Sequence, residues 1–320
     1  MMSIKEKILS SLDFGKIKKS VFFGTSLKNK NSFKIGGKAD IFFKPKTYSD
    51  LVFGLNFFAR LKLPISVLGA GTNLLVSDTG IEGVVVSLEK LKGFQQVSDN
   101  RIQVEAGLKT EKLSLLCANK GLKGFENFGG LPGTIGGAIF MNARCYGSEI
   151  AMLLKSVKTL KFKAGTFSES LYEFSSEDWA YKKTPFQKFR SGVLLEDGAS
   201  LIVSAVFAVE AGNSKELKKV RKMRIVDRRE KGHFNMPSCG STFKNNHNFG
   251  KPSGAIIDEL GLKGLTVGGA QVAPFHANFI INKNNASAQD VKKLIEKVQA
   301  EVKAKRGFDL EPEVIFAGRW

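Results

Sequence analysis

The stretch GGLPGTIGGAIFMNA, residues 129–143, decides how the rest of this chain reads. Its five glycines flank Pro132 and Thr134, and the run then turns apolar. Glycine permits φ > 0 and lets a bare amide approach a ligand at little steric cost. Successive free N–H groups in such turns form a concavity suited to a phosphate, and no Lys-Ser/Thr follows to make a Walker loop. Two readings stand open here. One is a diphosphate held by backbone around Pro132, Gly133, Thr134, Gly136, Gly137 and Asn142; the other is a glycine-rich turn between packed strands.

A second glycine turn lies upstream in LGAGTNLLVSD, residues 68–78. It begins like the G-x-G-x-x-G dinucleotide fingerprint, but Leu74 takes the sixth position. The chain then runs through Leu74 to Ser77, a turn at Thr79-Gly80 and a new β-like run at Val84, which leaves no room for a Rossmann crossover helix. What remains is a strand, a tight turn at Gly69, Ala70 and Gly71, and the hydrogen-bonding side chains of Thr72 and Asn73. Two phosphate-shaped turns in adjoining α/β units would let a dinucleotide lie in a cleft between domains.

A chain of 320 residues exceeds the ~250 to 300 at which a single core stops growing, so two or three domains are expected. The N-terminal MMSIKEKILSSLDFGKIKKS has no uninterrupted apolar segment with a small-residue cleavage site, and no apolar run approaches the ~18 residues of a membrane span. A cytoplasmic protein without membrane insertion is expected. Cys117, Cys145 and Cys239 are far apart and never in a CxxC pair, which argues against a disulfide framework and against a metal site. The formal charge is +19, but its lysines are scattered, whereas a nucleic-acid footprint clusters on one face with interleaved aromatics. A solvated basic surface that draws in anionic small molecules fits better than a nucleic-acid partner. The one local concentration, Lys218, Lys219, Arg221, Lys222, Arg224, Arg228, Arg229 and Lys231, merits a function only if it borders a site.

Three organisations follow one another. In the first, β-like runs at 39–43, 65–68 and 84–87 surround a helix starting near Ser49, with Leu51, Val52, Leu55 and Phe58 on one face. In the second, Thr110 is placed to cap a helix through Leu113, Leu116 and Cys117 that Gly121 ends, with β-like runs at 157–162 and 201–209. The third closes on a helix capped by Ser287 with Asp290 at the capping-box position. Val291, Leu294, Ile295, Val298 and Val302 line it, and Gly307 ends it.

Six segments in order, NSFKIGGKAD (31–40), LGAGTNLLVSD (68–78), GLPGTIGGAIFMNA (130–143), SCGSTFKN (238–245), GGAQVAPFHANFI (268–280) and LEPEV (310–314), cover nearly the whole chain. Together they resemble the UDP-N-acetylenolpyruvoylglucosamine reductase (MurB) family of peptidoglycan synthesis, in its shorter, type II-like form. The resemblance implies an α/β (α+β) fold: a two-part FAD-binding fold of the vanillyl-alcohol-oxidase/PCMH class plus a C-terminal α+β substrate-binding domain. The parts would be 1–90 and 91–212 for FAD, 213–308 for substrate, and a tail, 309–320, returning to the flavin. It also implies that NADPH delivers hydride to FAD and that the reduced flavin passes it to UDP-N-acetylglucosamine enolpyruvate, in a monomer. Ile35, Gly36, Gly69, Ala70, Gly71, Thr72, Asn73, Leu74, Pro132, Gly133, Thr134, Gly136, Gly137 and Asn142 would then hold the cofactor.

By the same resemblance Ser241 is the proton donor, Glu313 the catalytic glutamate and Lys182 the third catalytic residue. A serine hydroxyl is a poor acid unless its surroundings hold the developing charge. At Lys182 the chain departs from the family: Tyr181 to Phe186 reads YKKTPF where the family has an arginine after tyrosine. Lysine keeps the charge and loses the planar fork. Tyr181, Arg229, Lys231, Asn245 and Gln271 are the expected substrate contacts, with His276 read as packing or positioning. Arg144 and Cys145 follow where the family continues with small residues, so a bulkier, more cationic cofactor wall is expected. Another FAD-dependent oxidase or dehydrogenase on the same cofactor fold is the alternative.

Overall fold

The computed structural model describes residues 4–187 and 194–320 and divides into two compact units. The first comprises Met1–Thr25, Ala39–Ala70 and Glu82–Ile225; the second comprises Ser26–Lys38, Gly71–Ile81 and Val226–Trp320. Chain order and unit order therefore differ, because two short early segments belong with the C-terminal part. The described helices are α1 (Ile4–Leu9), α2 (Tyr48–Arg60), α3 (Thr110–Asn119), α4 (Ile135–Phe140), α5 (Ile150–Leu153), α6 (Ser214–Glu230), α7 (Ser253–Glu259) and α8 (Ala288–Arg306). None is long and apolar enough to cross a membrane.

The first unit is built on two sheets. One orders the strands Val21–Ser26, Lys38–Phe43, Ile81–Ser87 and Ile65–Leu68, the last two parallel. No helix intervenes between those two strands, as the residues after Gly71 required. Helix α2 begins one residue before Ser49, with Thr47 as its cap accepting the Asp50 N–H at 3.1 Å, and it buries Leu51, Leu55 and Phe58. Val52 is only partly buried. The helix can lie close to strand Lys38–Phe43 because Gly54 faces Phe43, whose ring a Cβ would meet at 2.3 Å. Asn56 then bonds the backbone of Phe167 in both directions. The other sheet is antiparallel, in the order Thr166–Glu173, Leu154–Lys163, Ser200–Ala208, Arg101–Glu105, Phe94–Ser98.

Thr110 is not a cap. Lys109 pairs with Thr134 as an isolated bridge and holds the cap position in extended backbone, so Thr110 becomes the first helical residue and its N–H goes to the Gly133 carbonyl at 3.1 Å. The glycine segment thus fixes where α3 starts.

The second unit has an antiparallel sheet in the order Ser238–Ser241, Phe279–Asn282, Ala270–Val272, Thr266–Val267. Helix α8 packs on it through Val291, Leu294, Ile295, Val298 and Val302, which join Phe33, Ile35 and Leu75 from the early segments in one core. Its start is fixed by the reciprocal bonds between Ser287 and Asp290, and Gly307 ends it at φ 73°. Removing that cap hydroxyl in Ser287→Ala is expected to cost about 1 kcal/mol. Urea unfolding checks this, with a shifted midpoint at unchanged slope as the expected result.

Candidate active site

In the first unit the two glycine turns meet. A Cβ on Gly69 would lie 2.8 Å from Thr134 Oγ1. Thr134 caps α4, its hydroxyl accepting the Gly137 N–H at 3.4 Å, while the Gly136 N–H goes to the Ala106 carbonyl at 2.8 Å. The Gly133 and Thr134 N–H groups carry no hydrogen bond to another described residue, and neither does that of Ala70. Unpaired amides beside a glycine turn are what a pyrophosphate requires. The start of the segment is braced from behind: Glu111 accepts the Gly130 N–H at 2.5 Å and pairs with Arg221. Arg221 of the basic concentration thus braces the glycine segment.

Other expected cofactor residues are structural in their side chains. Ile35 is 2% exposed in the second unit's core, and Gly36, at φ 118°, lies against Val76. Leu74 opens the short strand Leu74–Val76. Asn142 is buried, and its Oδ1 accepts the Ala151 N–H while its Nδ2 donates to Glu149 and to the Ala180 carbonyl. Arg144 pairs with Glu149 at 3.2 Å, and the Cys145 thiol donates to the Asn127 carbonyl. Lys182 occupies a two-residue turn closed by reciprocal bonds between Ala180 and Lys183, with its ammonium 5.9 Å from the centre of the Tyr181 ring.

In the second unit the C-terminal tail does most of the assembly. Strand Ile315–Ala317 pairs in parallel with Leu74–Val76, directly after the Gly71 turn. The Ile315 N–H donates to the Asn73 carbonyl at 3.0 Å, and Asn73 Nδ2 donates to the Glu313 carbonyl at 3.0 Å. On its other edge the tail runs beside residues 242–244. The Glu313 N–H bonds the Thr242 carbonyl at 2.7 Å and the Lys244 N–H bonds the Glu311 carbonyl at 2.9 Å. Asn278 grips the same loop through both ends of its side chain, bonding the Phe243 N–H and carbonyl. Ser241, Glu313 and Asn73 are therefore carried on adjoining backbone within one unit. Beneath them, burial pushes the Cys239 thiol up to about 12, and the nearby Glu313 carboxylate adds to the shift.

Ser241 opens on a cavity of about 350 Å³ in this unit that Asn245, Asp258, Lys263, Phe275 and His276 also line. Asn245 shapes it by capping α7, its Oδ1 accepting the Ser253 N–H at 2.9 Å. The Lys263–Asp258 pair at 2.6 Å is a charged contact the sequence reading did not single out, since no motif or spacing marks it. Lys231 pairs with Asp227, Arg229 is exposed, and Gln271 is tied to Gly264 and Thr266 of its own hairpin.

His276 accepts the Asn278 N–H at Nδ1, which puts its proton on Nε2 when neutral. His233 stands 5.8 Å from it, ring to ring, and its Nε2 is buried without a partner among the described residues. Burial, then the charges of Arg228, His276 and Lys231 against Asp227, push His233 down to about 4. Burial also lowers His276, with Lys263 and Lys231 opposed by Asp258. The unfolded chain binds these protons first, so stability should fall as pH drops from about 6.5 towards 4. Urea midpoints at pH 7.5 and 5 check this, and His233→Gln should flatten the difference.

Residues 39–169 match the FAD binding domain family, and residues 232–317 match the C-terminal domain of UDP-N-acetylenolpyruvoylglucosamine reductase. The chain is 47% identical over 305 residues to the UDP-N-acetylenolpyruvoylglucosamine reductase of Treponema denticola, covering 94% of each chain. It is 38% identical over 326 residues to that of Treponema pallidum, covering 91% of this chain and 92% of the relative. The crystal structure of the Thermus caldophilus enzyme superposes with a TM-score of 0.73 at 29% identity, over 93% of this chain and 98% of that one. The chain belongs to the UDP-N-acetylenolpyruvoylglucosamine reductase family.

Proposed function

We infer that this chain reduces UDP-N-acetylglucosamine enolpyruvate to UDP-N-acetylmuramate with FAD and NADPH, in peptidoglycan precursor synthesis. The observation that carries the reading is the tail ladder that sets Glu313 beside the Ser241 loop and against Asn73. FAD, when bound, supplies the relay that accepts hydride from NADPH and yields it to the distal vinyl carbon of the substrate. The amides of Gly133, Thr134 and Ala70 would hold its pyrophosphate. The Ser241 hydroxyl gives a proton to the other vinyl carbon, and Glu313 supports the charge that develops there. Lys182, which stands where the family has an arginine, supplies positive charge during the reaction. Asn245 binds substrate in the cavity it shares with Ser241, Arg229 and Lys231 offset its diphosphate, and Tyr181 and Gln271 are further substrate contacts. We place this work in a cytoplasmic monomer, with residues 1–90 and 91–212 serving the flavin, 213–308 the substrate, and 309–320 completing the site.

The reading is tested by colour. Purified protein should be yellow, bleach with NADPH and regain its colour on adding the UDP-enolpyruvyl sugar; colourless protein that FAD cannot reconstitute would overturn it. Lys182→Ala should slow recolouring by about tenfold or more, against no change in the exposed control Lys161→Ala. Equal rates in the two variants would remove Lys182 from the mechanism.

A further inference from the structure

The helix that carries the anion cradle at one end grips the Lys182 turn at the other. At its start, Thr134 stands beside Gly69. Its last carbonyl, that of Phe140, accepts from Thr184 Oγ1 at 3.1 Å and from Gln187 Nε2 at 2.6 Å, and both side chains are buried. Two residues on, Asn142 donates to the Ala180 carbonyl at 3.1 Å, the same carbonyl that closes the Tyr181–Lys182 turn by accepting the Lys183 N–H. The orientation of the Asn142 amide is fixed, because its oxygen takes the Ala151 N–H. Glu149 holds the amide from the other side, at 3.3 Å, and is itself paired with Arg144.

This grip is held against conformational preference. Asn142 is at φ 42°, Lys182 at φ 56° and Tyr146, in the hairpin between Arg144 and Glu149, at φ 49°. Left-handed backbone costs a non-glycine residue about 1–3 kcal/mol and persists where the surroundings over-determine it. Three such residues sit along one connected path from Arg144 to Lys182.

We propose that Asn142, backed by Glu149 and Arg144, is a positioning residue that holds the Tyr181–Lys182 turn on the end of α4 and thereby sets where the Lys182 cation stands during the reaction. The proposal rests on the assignment of Lys182 made above. Asn142 acts through the turn, and the distance between flavin cradle and cation is set by one short helix.

The test uses the holoenzyme and two variants of Asn142. Asn142→Gly keeps the left-handed backbone and removes the amide; Asn142→Asp keeps the shape and the acceptor for Ala151 and removes the donor to Ala180. Hydrogen exchange of residues 180–187 reads the clamp directly, and kcat and KM are measured with and without Lys182→Ala. The expected result is faster exchange in that segment, kcat lowered about tenfold with KM little changed, and no further loss when either variant is combined with Lys182→Ala. Unchanged exchange would overturn the clamp. Faster exchange with losses that add to those of Lys182→Ala would overturn the positioning role. Lys182→Ala at the parent rate would overturn the assignment of Lys182 and with it the role of the turn, leaving the exchange result to report the clamp alone.

Discussion

Ser241→Ala is expected to leave the protein yellow and reducible by NADPH at the parent rate, while the enolpyruvyl substrate reoxidises it ~10²–10⁴-fold more slowly. The two half-reactions separate because the role proposed for the hydroxyl belongs only to the second. The fold gives little reason for any other effect. Ser241 is half-buried at the end of strand Ser238–Ser241, and the loop it opens is held by backbone and by Asn278. Those bonds need no serine side chain. Stopped-flow absorbance with each partner in turn reads both rates. An equal loss in both would mean that the substitution disturbed the flavin, and parent rates in both would remove Ser241 from the chemistry. Glu313→Gln should fall in the same half-reaction, since the Glu313 backbone, which makes the ladder bonds, is unchanged.

What the sequence made legible was local. Ser287 marks the start of α8, and the faces of α2 and α8 follow the 3.6-residue period because each buries one stripe. The two glycine turns were readable because glycine there is a steric requirement. The partners of those turns were not. Strands Leu74–Val76 and Ile315–Ala317 have three residues each, too short for alternation to show, and their register is set across the whole length of the chain. The same limit hid the membership of Ser26–Lys38 and Gly71–Ile81 in the C-terminal unit. Asp258 and Lys263 escaped because an ion pair five residues apart across a turn has no sequence signature. Thr110 misled for a related reason: its local context favours a cap, and a bridge to Thr134 moved the cap to Lys109. The side-chain partners of Asn142, namely Ala151, Glu149 and Ala180, were not legible either, because only folding brings them together.

Gly71→Ala is expected to damage the protein more than Gly69→Ala, although both lie in the same turn. At Gly71 the backbone is at φ 63°, and a Cβ would stand 2.6 Å from Asn31 Cβ and 2.7 Å from both Asn31 Cα and the Lys30 carbonyl oxygen. Two of those three atoms are backbone, and the segment cannot yield easily. Asn31 Nδ2 donates to the Leu27 and Ile35 carbonyls at 2.8 and 2.7 Å, and the Ser32 N–H bonds the Gly71 carbonyl. The left-handed conformation alone costs alanine about 1–3 kcal/mol, before any displacement of that segment is counted. A fall in Tm of at least ~5 °C follows, with loss of flavin because Thr72 and Asn73 leave register with the tail. At Gly69 the obstacle is a single hydroxyl, Thr134 Oγ1 at 2.8 Å, which can rotate away. Gly69→Ala should therefore keep its Tm and lose flavin affinity, as a side chain intrudes beside the amides proposed to hold the pyrophosphate. Parent Tm and flavin content in Gly71→Ala would show that the turn is not held as its contacts imply. An undiminished flavin affinity in Gly69→Ala would show that the meeting of the two glycine turns is packing alone.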